Sequence, residues 1–325
     1  MKLQELIRLS NQLAGYTIKD VQQVADHQVK SIMHRADIPA AEIDDIFYQK
    51  LLVQGQVLQD SFDRFEEELQ KLKTEVQRQI DFEGTAWLQK SNAVYEKQLH
   101  NYDSQRPEAI GLHRNKPTQL DPELRQLFKN RVALYCDWHY PAMIIHPMLE
   151  TFIHDMIASD PLYIIDESQY LIEPTMLQFN EKYQQRLRPY VIEESFDRPI
   201  LSQLPDHQFG FCLAYNYLNY RPFEIIKKYL NELYQKLSPG GVLAMTFNDC
   251  DRYQALQMVE QKITCYTPGS LIRGWAKYVG FEEIFCHQDE GPTVWLELKK
   301  PGQLESLRGG QCLAKILPKP VAKSK

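Results

Sequence analysis

The N-terminal third of the chain repeats leucine, glutamine, glutamate and lysine at helical intervals. Apolar positions return every three or four residues, which is the spacing of one face of an α-helix. Residues that interrupt helices are rare between residue 1 and about residue 100: the only proline there is Pro39, and the glycines are Gly15, Gly55 and Gly84. The pattern predicts that residues 1 to about 100 are almost entirely helical.

Within this helical region, apolar residues also follow an alternating four-three spacing over about three heptads. They form two interleaved rows, Leu51, Leu58, Phe65 and Leu72 in the first and Phe62, Leu69 and Val76 in the second. Such a seam is typical of a coiled coil through which a chain forms a homo-oligomer or binds a protein partner. It is equally compatible with a hairpin in which the same helix packs on residues 2–30 of its own chain. The sequence leaves both interpretations open.

The helical spacing ends between about residues 101 and 118, where prolines, a glycine and scattered charges replace it. Such a stretch is typical of a domain boundary. A second change comes after Gly302, where the chain becomes rich in lysine and proline. We therefore predict a helical region at 1–110, an α/β domain at 111–303 and a flexible basic tail at 304–325.

From about residue 119 the chain alternates short β-rich runs with helical stretches. The predicted strands are 131–138, 161–168, 190–195, 209–217, 242–249, 281–288 and 293–300. A short helix is predicted at 120–130, with Asp121 as its cap and Pro122 at its first position, and another helix at 148–159. This alternation predicts an α/β fold with a parallel sheet covered by helices on both faces.

Four segments resemble motifs of the class I S-adenosylmethionine-dependent methyltransferases. LSPGGVL at 237–243 is similar to the turn before the fifth strand of that family, and YVGFEEI at 278–284 is similar to the entry to its sixth strand. FGFCLAYNYLNY at 209–220 resembles the fourth-strand segment that lines the substrate pocket, and LYIID at 162–166 resembles the second strand with its terminal acid. The resemblance implies a seven-stranded Rossmann-like fold, S-adenosylmethionine as cofactor, and methyl transfer to a small molecule or a protein side chain.

The resemblance also implies site residues at the carboxyl ends of the strands, where ligands bind in open α/β sheets. Asp166 matches the acid that binds the cofactor ribose. The residues expected around the cofactor are Asp137, Trp138, His139, Asp166, Glu167, Glu194 and Asp197. The residues expected in the catalytic acceptor pocket are Tyr215, Asn216, Tyr217, Asn248 and Asp249. No metal ligands are predicted, because the spacing of the histidines matches no ligand signature.

One motif of the family is absent. The family follows its first strand with an acid and a glycine-rich loop, since glycine lets the backbone approach a cofactor closely. After the first predicted strand, Asp137 matches the acid, but His139 and Pro141 stand where glycines are expected. Asp137 and Asp166 are also further apart than the roughly 20 residues usual in dinucleotide-binding folds.

This departure leaves two hypotheses open. In the first, the protein is a methyltransferase that binds its cofactor through a rebuilt loop, which the retained Asp166 favours. In the second, it is a catalytically inactive scaffold or assembly protein that has kept the sheet, which the missing glycines favour. A helical arm before such a domain is also similar to tailed-phage gene products, which implies a virion component as one form of the second hypothesis.

Composition narrows the classes of function. The formal net charge is −6 and the isoelectric point is about 5.9, so the chain lacks the basic footprint of a nucleic-acid-binding protein. No apolar run reaches the roughly 18 residues of a membrane span, and the N-terminus has an amphipathic pattern unlike that of a secretory signal. The six cysteines include no CxxC pair. We therefore predict free thiols in a cytoplasmic protein, or in a virion if the phage likeness holds.

Overall fold

The computed structural model describes residues 3–14, 45–101, 121–147, 152–261, 263–288 and 291–305, with side chains of the helix at 45–101 described from residue 60 to residue 96. The chain divides into two compact units, Met1–Trp87 and Leu88–Lys325. The division falls inside one long helix, so the last turns of that helix belong to the second unit. The predicted boundary stretch and most of the predicted tail lie outside the described residues.

Two helices make up the described part of the first unit, α1 (Leu3–Ala14) and α2 (Asp45–Asn101), and α2 continues into the second unit. The side chains that α1 buries are those of Leu3, Leu6, Ile7 and Leu13. The two heptad rows of α2 differ in exposure. Phe65 and Leu72 of the first row are 54% and 46% exposed, whereas Val76 of the second row is only 5% exposed. The helical prediction is confirmed for these segments. The coiled coil and the hairpin both stay predictions.

Seven strands form one sheet in the second unit. They are β1 Ala142–Ile145, β2 Leu162–Asp166, β3 Leu187–Val191, β4 Phe209–Ala214, β5 Leu237–Asn248, β6 Glu282–Gln288 and β7 Thr293–Lys299. Their order across the sheet is β3-β2-β1-β4-β5-β7-β6, with β7 antiparallel to both of its neighbours and all other pairs parallel. This order is the Rossmann-like topology of class I methyltransferases, so the predicted fold class is confirmed.

Helices cover both faces of the sheet. Those after α2 are α3 Pro122–Tyr135, α4 Gln169–Met176, α5 Glu181–Gln184, α6 Phe223–Lys236, α7 Tyr253–Glu260 and α8 Gly269–Val279, with 3-10 helices at Phe152–Met156 and Leu218–Tyr220. Successive residues of a strand point to opposite faces. Met143 and Ile145 of β1 accordingly join the core that includes α6, and Ala142 and Ile144 join the core that includes α3. Both faces of the central strands β1, β4 and β5 are therefore buried, whereas the edge strands β3 and β6 are largely exposed.

The first predicted strand is wrong. The segment 131–135 is the continuation of helix α3, and β1 is formed by Ala142–Ile145, further along the chain. A short apolar run of this kind does not by itself separate a buried strand from a buried stretch of helix. The helix predicted at 148–159 is reduced, in the residues that the structure describes, to the 3-10 helix at Phe152–Met156.

An ion pair and hydrogen bonds join the helical segment 131–135 to strand β7. Glu297 of β7 has a fully buried side chain. Arg131 and Tyr135 both reach it, because residues four apart lie on the same face of a helix. Arg131 Nε donates to Glu297 Oε1 at 2.9 Å, Arg131 Nη2 contacts Oε2, and Tyr135 Oη donates to Oε2 at 2.6 Å. Trp295 Nε1 adds a hydrogen bond of 2.9 Å to Oε1. This network holds α3 against the sheet.

The turn that resembles the family motif depends on glycine. Gly240 has a φ of 83°, and a Cβ atom at this position would lie 2.6 Å from the backbone nitrogen of Leu304. Both the dihedral angle and the close approach exclude larger residues. The turn lies where the register of β4 and β5 shifts, between Phe209 and Phe211. It thereby sets which residues of β4 and β5 reach the carboxyl edge of the sheet.

Candidate functional site

The carboxyl edge of the sheet at β1 and β4 is where the order of the strands reverses. Ligands of open α/β sheets bind in the crevice at such a switch point. Here His146 follows β1, Asp166 ends β2, Glu194 comes shortly after β3, and Asn216 comes shortly after β4. These residues and the groups in contact with them form the candidate cofactor site.

Asp166 is buried at this edge, with an exposed fraction of 1%. Its Oδ1 accepts the backbone N–H of Ser168 at 2.9 Å, and its Oδ2 lies 2.9 Å from Nδ1 of His146. His146 has a positive φ of 54° as the chain leaves β1. The two paired residues are 20 positions apart, which matches the spacing of dinucleotide-binding folds. Measured from His146, which follows the observed β1, and not from Asp137, the distance to the acid at the end of β2 is therefore the usual one.

The predicted cofactor residues Asp137, Trp138 and His139 lie between α3 and β1. A residue that precedes a strand lies at its amino end, and the carboxyl edge is at the opposite end. Asp137 Oδ1 accepts the backbone N–H of His139 at 2.8 Å, and the rings of Trp138 and His139 are 4.1 Å apart between centroids. The predicted placement of these residues after the first strand is therefore wrong, and the structure does not bring them together with Asp166.

A buried group of charged and phenolic side chains surrounds Glu194. We call it the Glu194 cluster, and its members are Tyr95, Glu167, Glu194, Tyr217, Arg221 and Tyr229. The carboxylate of Glu194 contacts Tyr217 Oη at 2.7 Å, Tyr229 Oη at 2.8 Å, Arg221 Nε at 3.1 Å, and Tyr95 Oη. Arg221 also contacts Glu167, which directly follows Asp166. The cluster thus joins the segments that follow β2, β3 and β4 to α6 and to the last turns of α2.

Burial dominates the electrostatics of the Glu194 cluster. Desolvation raises the pKa of Glu194 above its usual value, and the charge of Arg221 only partly opposes this. Desolvation likewise raises the pKa values of Tyr95, Tyr217 and Tyr229 well above the usual value, so these phenols remain protonated donors. The guanidinium of Arg221 stacks over the ring of Tyr217, with 3.8 Å between Cζ and the ring centroid.

The three residues predicted beyond β4 have different surroundings. Tyr215 is buried and its ring packs edge-to-face on Phe152, with 5.2 Å between centroids. Asn216 has a positive φ of 52°, and its backbone N–H donates to Thr246 Oγ1 at 2.7 Å. Tyr217 belongs to the Glu194 cluster. Of the three, Asn216 is the residue that is only partly buried at the switch point.

Asn248 and Asp249 make hydrogen bonds to neighbouring loops at the end of β5. Asn248 Oδ1 accepts from Asn219 Nδ2 at 3.1 Å and from Thr293 Oγ1 at 3.0 Å. Asp249 Oδ1 accepts the backbone N–H of Gly269, the first residue of α8, at 2.8 Å. Both predicted acceptor residues are 2% exposed. A role in catalysis stays a prediction, whereas the hydrogen bonds give both of them a structural role.

We expect Asp249→Ala to lower the free energy of unfolding by about 1–2 kcal/mol, because it removes a carboxylate that caps the N-terminus of α8. Urea denaturation followed by circular dichroism measures this change. Asp197→Ala is the matched control: Asp197 is an exposed carboxylate in the loop after β3, and its loss should change stability by less than about 0.5 kcal/mol. An Asp249→Ala variant as stable as the wild type would contradict the capping role.

Sequence reasoning missed four residues of this edge, His146, Arg221, Tyr95 and Tyr229. His146 carries a usable signal, which is its distance of 20 residues from Asp166. The other three carry none, because their shared partner Glu194 is 27 to 99 positions away along the chain. The predicted cofactor residue Asp197 is exposed and makes no contact with the Glu194 cluster among the contacts of the described residues.

No protein-family model matches the sequence, and no curated protein matches it. Solved structures do match, and most of them are methyltransferases. The [4+2]-cyclase SpnF is 13% identical, with 56% of this chain and 83% of that chain covered and a TM-score of 0.43. An S-adenosylmethionine-dependent methyltransferase from Mesorhizobium loti is 10% identical, with 53% and 96% covered and a TM-score of 0.42. A protein from Bordetella parapertussis described as a possible exported protein is 14% identical, with 70% and 88% covered and a TM-score of 0.44.

Similarity at this level carries no information on substrate, and the fold assignment rests on the strand order given above. Within the described ranges, no helix has the length and apolar character needed to span a membrane. The same part of the chain contains no group of three or more His, Cys, Asp or Glu side chains arranged to hold a metal ion. The likeness to phage products stays a prediction.

Proposed function

We propose that the α/β unit is a methyltransferase that binds S-adenosylmethionine at the carboxyl edge of its sheet. The buried carboxylate of Asp166 is the observation that carries this proposal, because it ends β2 beside the switch point of a class I methyltransferase topology. In the family that the sequence resembles, an acid at this place binds the ribose of the cofactor. The pairing of Asp166 with His146 supports the same role by fixing the orientation of the carboxylate.

The chemistry of the donor set fits this cofactor. A carboxylate oxygen has more than one acceptor site, so Asp166 can accept ribose hydroxyl groups in addition to Ser168 N–H and His146. Three carboxyl groups, those of Asp166, Glu167 and Glu194, lie at this edge with a single guanidinium, that of Arg221. An excess of acidic groups favours a ligand with positive charge, and S-adenosylmethionine carries a sulfonium group.

The loop after β1 must act without glycines. The backbone N–H of His146 already donates to the carbonyl oxygen of Ile165 at 2.7 Å, and Pro147 has no N–H. Neither residue supplies a backbone donor to a ligand. We propose that the side-chain amide of Asn216 supplies a polar contact instead, because Asn216 is partly exposed and lies across the switch point from His146.

The cofactor, when bound, supplies a methyl group on a positively charged sulfur. The protein's part is to hold the acceptor in line with that group and to exclude water, since methyl transfer needs little covalent chemistry from side chains. We propose that the acceptor, a small molecule or a protein side chain, lies beyond β4 near Asn216. A homo-oligomer or protein contact through α2 remains a proposal that is separate from this site.

We expect S-adenosylmethionine to bind the purified full-length chain in titration calorimetry, and Asp166→Asn to weaken that binding about tenfold to a hundredfold. The reason is that hydrogen bonds to a charged group contribute about 1.5–3 kcal/mol, and 1.4 kcal/mol corresponds to tenfold in affinity. Asparagine keeps the shape of the side chain and an acceptor for Ser168 N–H. Glu193→Gln, which changes a carboxylate after β3 that is 75% exposed and paired with Arg198, is the matched control and should bind as the wild type does.

Two results would overturn the proposal. The absence of binding heat and of thermal stabilisation at millimolar S-adenosylmethionine would favour the inactive scaffold. Equal affinity of the wild type and a folded Asp166→Asn variant would show that the cofactor binds away from Asp166. Radiolabel transfer from S-adenosylmethionine into candidate acceptors follows once binding is established.

A further inference from the structure

Two carboxyl groups converge on one phenolic hydroxyl in the Glu194 cluster. Tyr217 Oη lies 2.6 Å from Glu167 Oε1 and 2.7 Å from Glu194 Oε1. Tyr229 Oη lies 2.9 Å from Tyr217 Oη and 2.8 Å from Glu194 Oε1. All of these separations are hydrogen-bond distances. Together with Tyr95 Oη on the other oxygen of Glu194, four contacts join a phenol to a carboxyl group, and each of these four needs a proton between its two oxygens.

The hydroxyl protons are too few for these contacts. Tyr217 has one proton and can donate it to Glu167 or to Glu194, but not to both. Tyr229 uses its own proton toward Glu194, and Tyr95 uses its proton toward the other oxygen of Glu194, so three phenol protons serve four phenol–carboxyl contacts. One carboxyl group must therefore itself carry a proton and donate it to Tyr217, whose hydroxyl passes its own proton on to the second carboxylate.

The charges of the cluster lead to the same count. Arg221 is the one cation among the described side chains that contact the two carboxyl groups, and its nitrogens reach both Glu167 and Glu194. Two ionised carboxylates would leave one negative charge uncompensated in a region where the side chains of Glu194 and Arg221 are 0% and 5% exposed. Uncompensated buried charge is strongly unfavourable. One shared proton makes the cluster electrically neutral.

The other titratable groups that face the cluster do not supply this proton. Tyr95 of α2 and Tyr229 of α6 are phenols whose pKa values burial raises further. Burial also raises the pKa of the nearby thiol of Cys265 to about 12. The ring of His146 packs beside Tyr217, with 5.3 Å between centroids, and its Nδ1 pairs with Asp166 instead. The extra proton is therefore held by the two carboxyl groups.

We propose that Glu167, Tyr217 and Glu194 share one proton between the two carboxyl groups, and that a cationic ligand at the same edge of the sheet displaces it. Glu167 connects the cluster to the ligand site, because its side chain is 13% exposed and it directly follows Asp166. The proton leaves to solvent, and the negative charge that it uncovers is compensated by the charge of the ligand. This inference rests on the proposed function. It adds that the site selects the sulfonium of S-adenosylmethionine over the neutral thioether of S-adenosylhomocysteine, which remains after methyl transfer.

The shared proton is measured first, on the protein without ligand. Infrared spectroscopy at neutral pH should show the carbonyl band of a protonated carboxylic acid in the wild type. Either Glu194→Gln or Glu167→Gln alone should remove that band, because one carboxylate then matches the one guanidinium of Arg221. Glu193→Gln is the matched control: Glu193 is the neighbouring residue, 75% exposed and paired with Arg198, and the band should persist. A band that survives in both cluster variants would overturn the shared proton.

Displacement of the proton is measured by calorimetry in buffers of different ionisation enthalpy. Binding of S-adenosylmethionine to the wild type should release about one proton, so its association constant should rise up to about tenfold per pH unit. S-adenosylhomocysteine, which lacks the sulfonium charge, should release none, and neither cluster variant should release a proton with either ligand. Binding without proton release would overturn the displacement. A failure of S-adenosylmethionine to bind would contradict the proposed function, while the infrared band still decides the shared proton.

Discussion

Arg131→Met should lower the free energy of unfolding of the α/β unit by about 3–5 kcal/mol. The substitution leaves the carboxylate of Glu297, which has 0% side-chain exposure, without its charged partner. The hydrogen bonds from Tyr135 and Trp295 remain, but they do not neutralise a buried charge. Urea denaturation followed by tryptophan fluorescence measures the loss, since Trp295 itself donates to Glu297.

A double variant separates the charge from the packing. Arg131→Met combined with Glu297→Gln carries no buried charge and keeps an acceptor for Tyr135 and Trp295, so it should recover more than half of the lost stability. Lys129→Met is the matched control on the same helix, because Lys129 is 53% exposed and lies 3.5 Å from Asp155. It should change stability by less than about 0.5 kcal/mol. A double variant as unstable as Arg131→Met would mean that lost packing, and not charge, causes the effect.

Arg221→Met should also cost about 3–5 kcal/mol at neutral pH, because it removes the cation that contacts Glu167 and Glu194. The deficit should depend on pH with a definite sign. Burial raises the pKa of Glu194 in the folded protein, and the positive charge of Arg221 partly opposes this rise. Removing Arg221 should therefore raise the pKa of Glu194 further. A carboxyl group with a raised pKa contributes stability at pH values below its unfolded pKa and loses that contribution as the pH rises through the folded pKa.

The Arg221→Met variant should therefore be closest to the wild type near about pH 5 and furthest from it near about pH 8. Urea denaturation at a series of pH values measures this. Arg198→Met is the matched control, since Arg198 is 69% exposed and pairs with the exposed Glu193, and its effect should be small at every pH. A deficit for Arg221→Met that does not change with pH would contradict the buried carboxyl pair as its cause.

The secondary structure was predicted well wherever local signals agreed. Asp121 caps α3 as expected, with its carboxylate accepting the N–H of Glu123 at 2.8 Å, and Pro122 is the first residue of that helix. The failure at 131–138 came from a segment whose local pattern allows either a helix or a strand. The contact that the helical geometry allows, from Arg131 to Glu297, joins residues that are 166 positions apart in the chain. No local pattern carries that information.

The candidate site was predicted in part. Asp166 was assigned to the site because the acid at the end of a strand is visible in the sequence, and Glu167, Glu194 and Tyr217 were assigned to it as well. The misplaced first strand hid His146, and with it the partner of Asp166. Glu167 and Tyr217 are 50 positions apart in the chain, and the packing of the strands brings them into contact with each other and with Glu194. The sequence does not show these contacts.

Local sequence was enough to predict the helical character of the described N-terminal segments, the alternation of strands and helices, and the place of Asp166 at the end of a strand, because these depend on residues that are close together in the chain. Folding sets which strands are neighbours, brings Tyr95 of the last turns of α2 to Glu194, and places two carboxyl groups against one guanidinium. These contacts could not be predicted, because charge balance and proton sharing act over a few ångströms in space, whatever the separation along the chain.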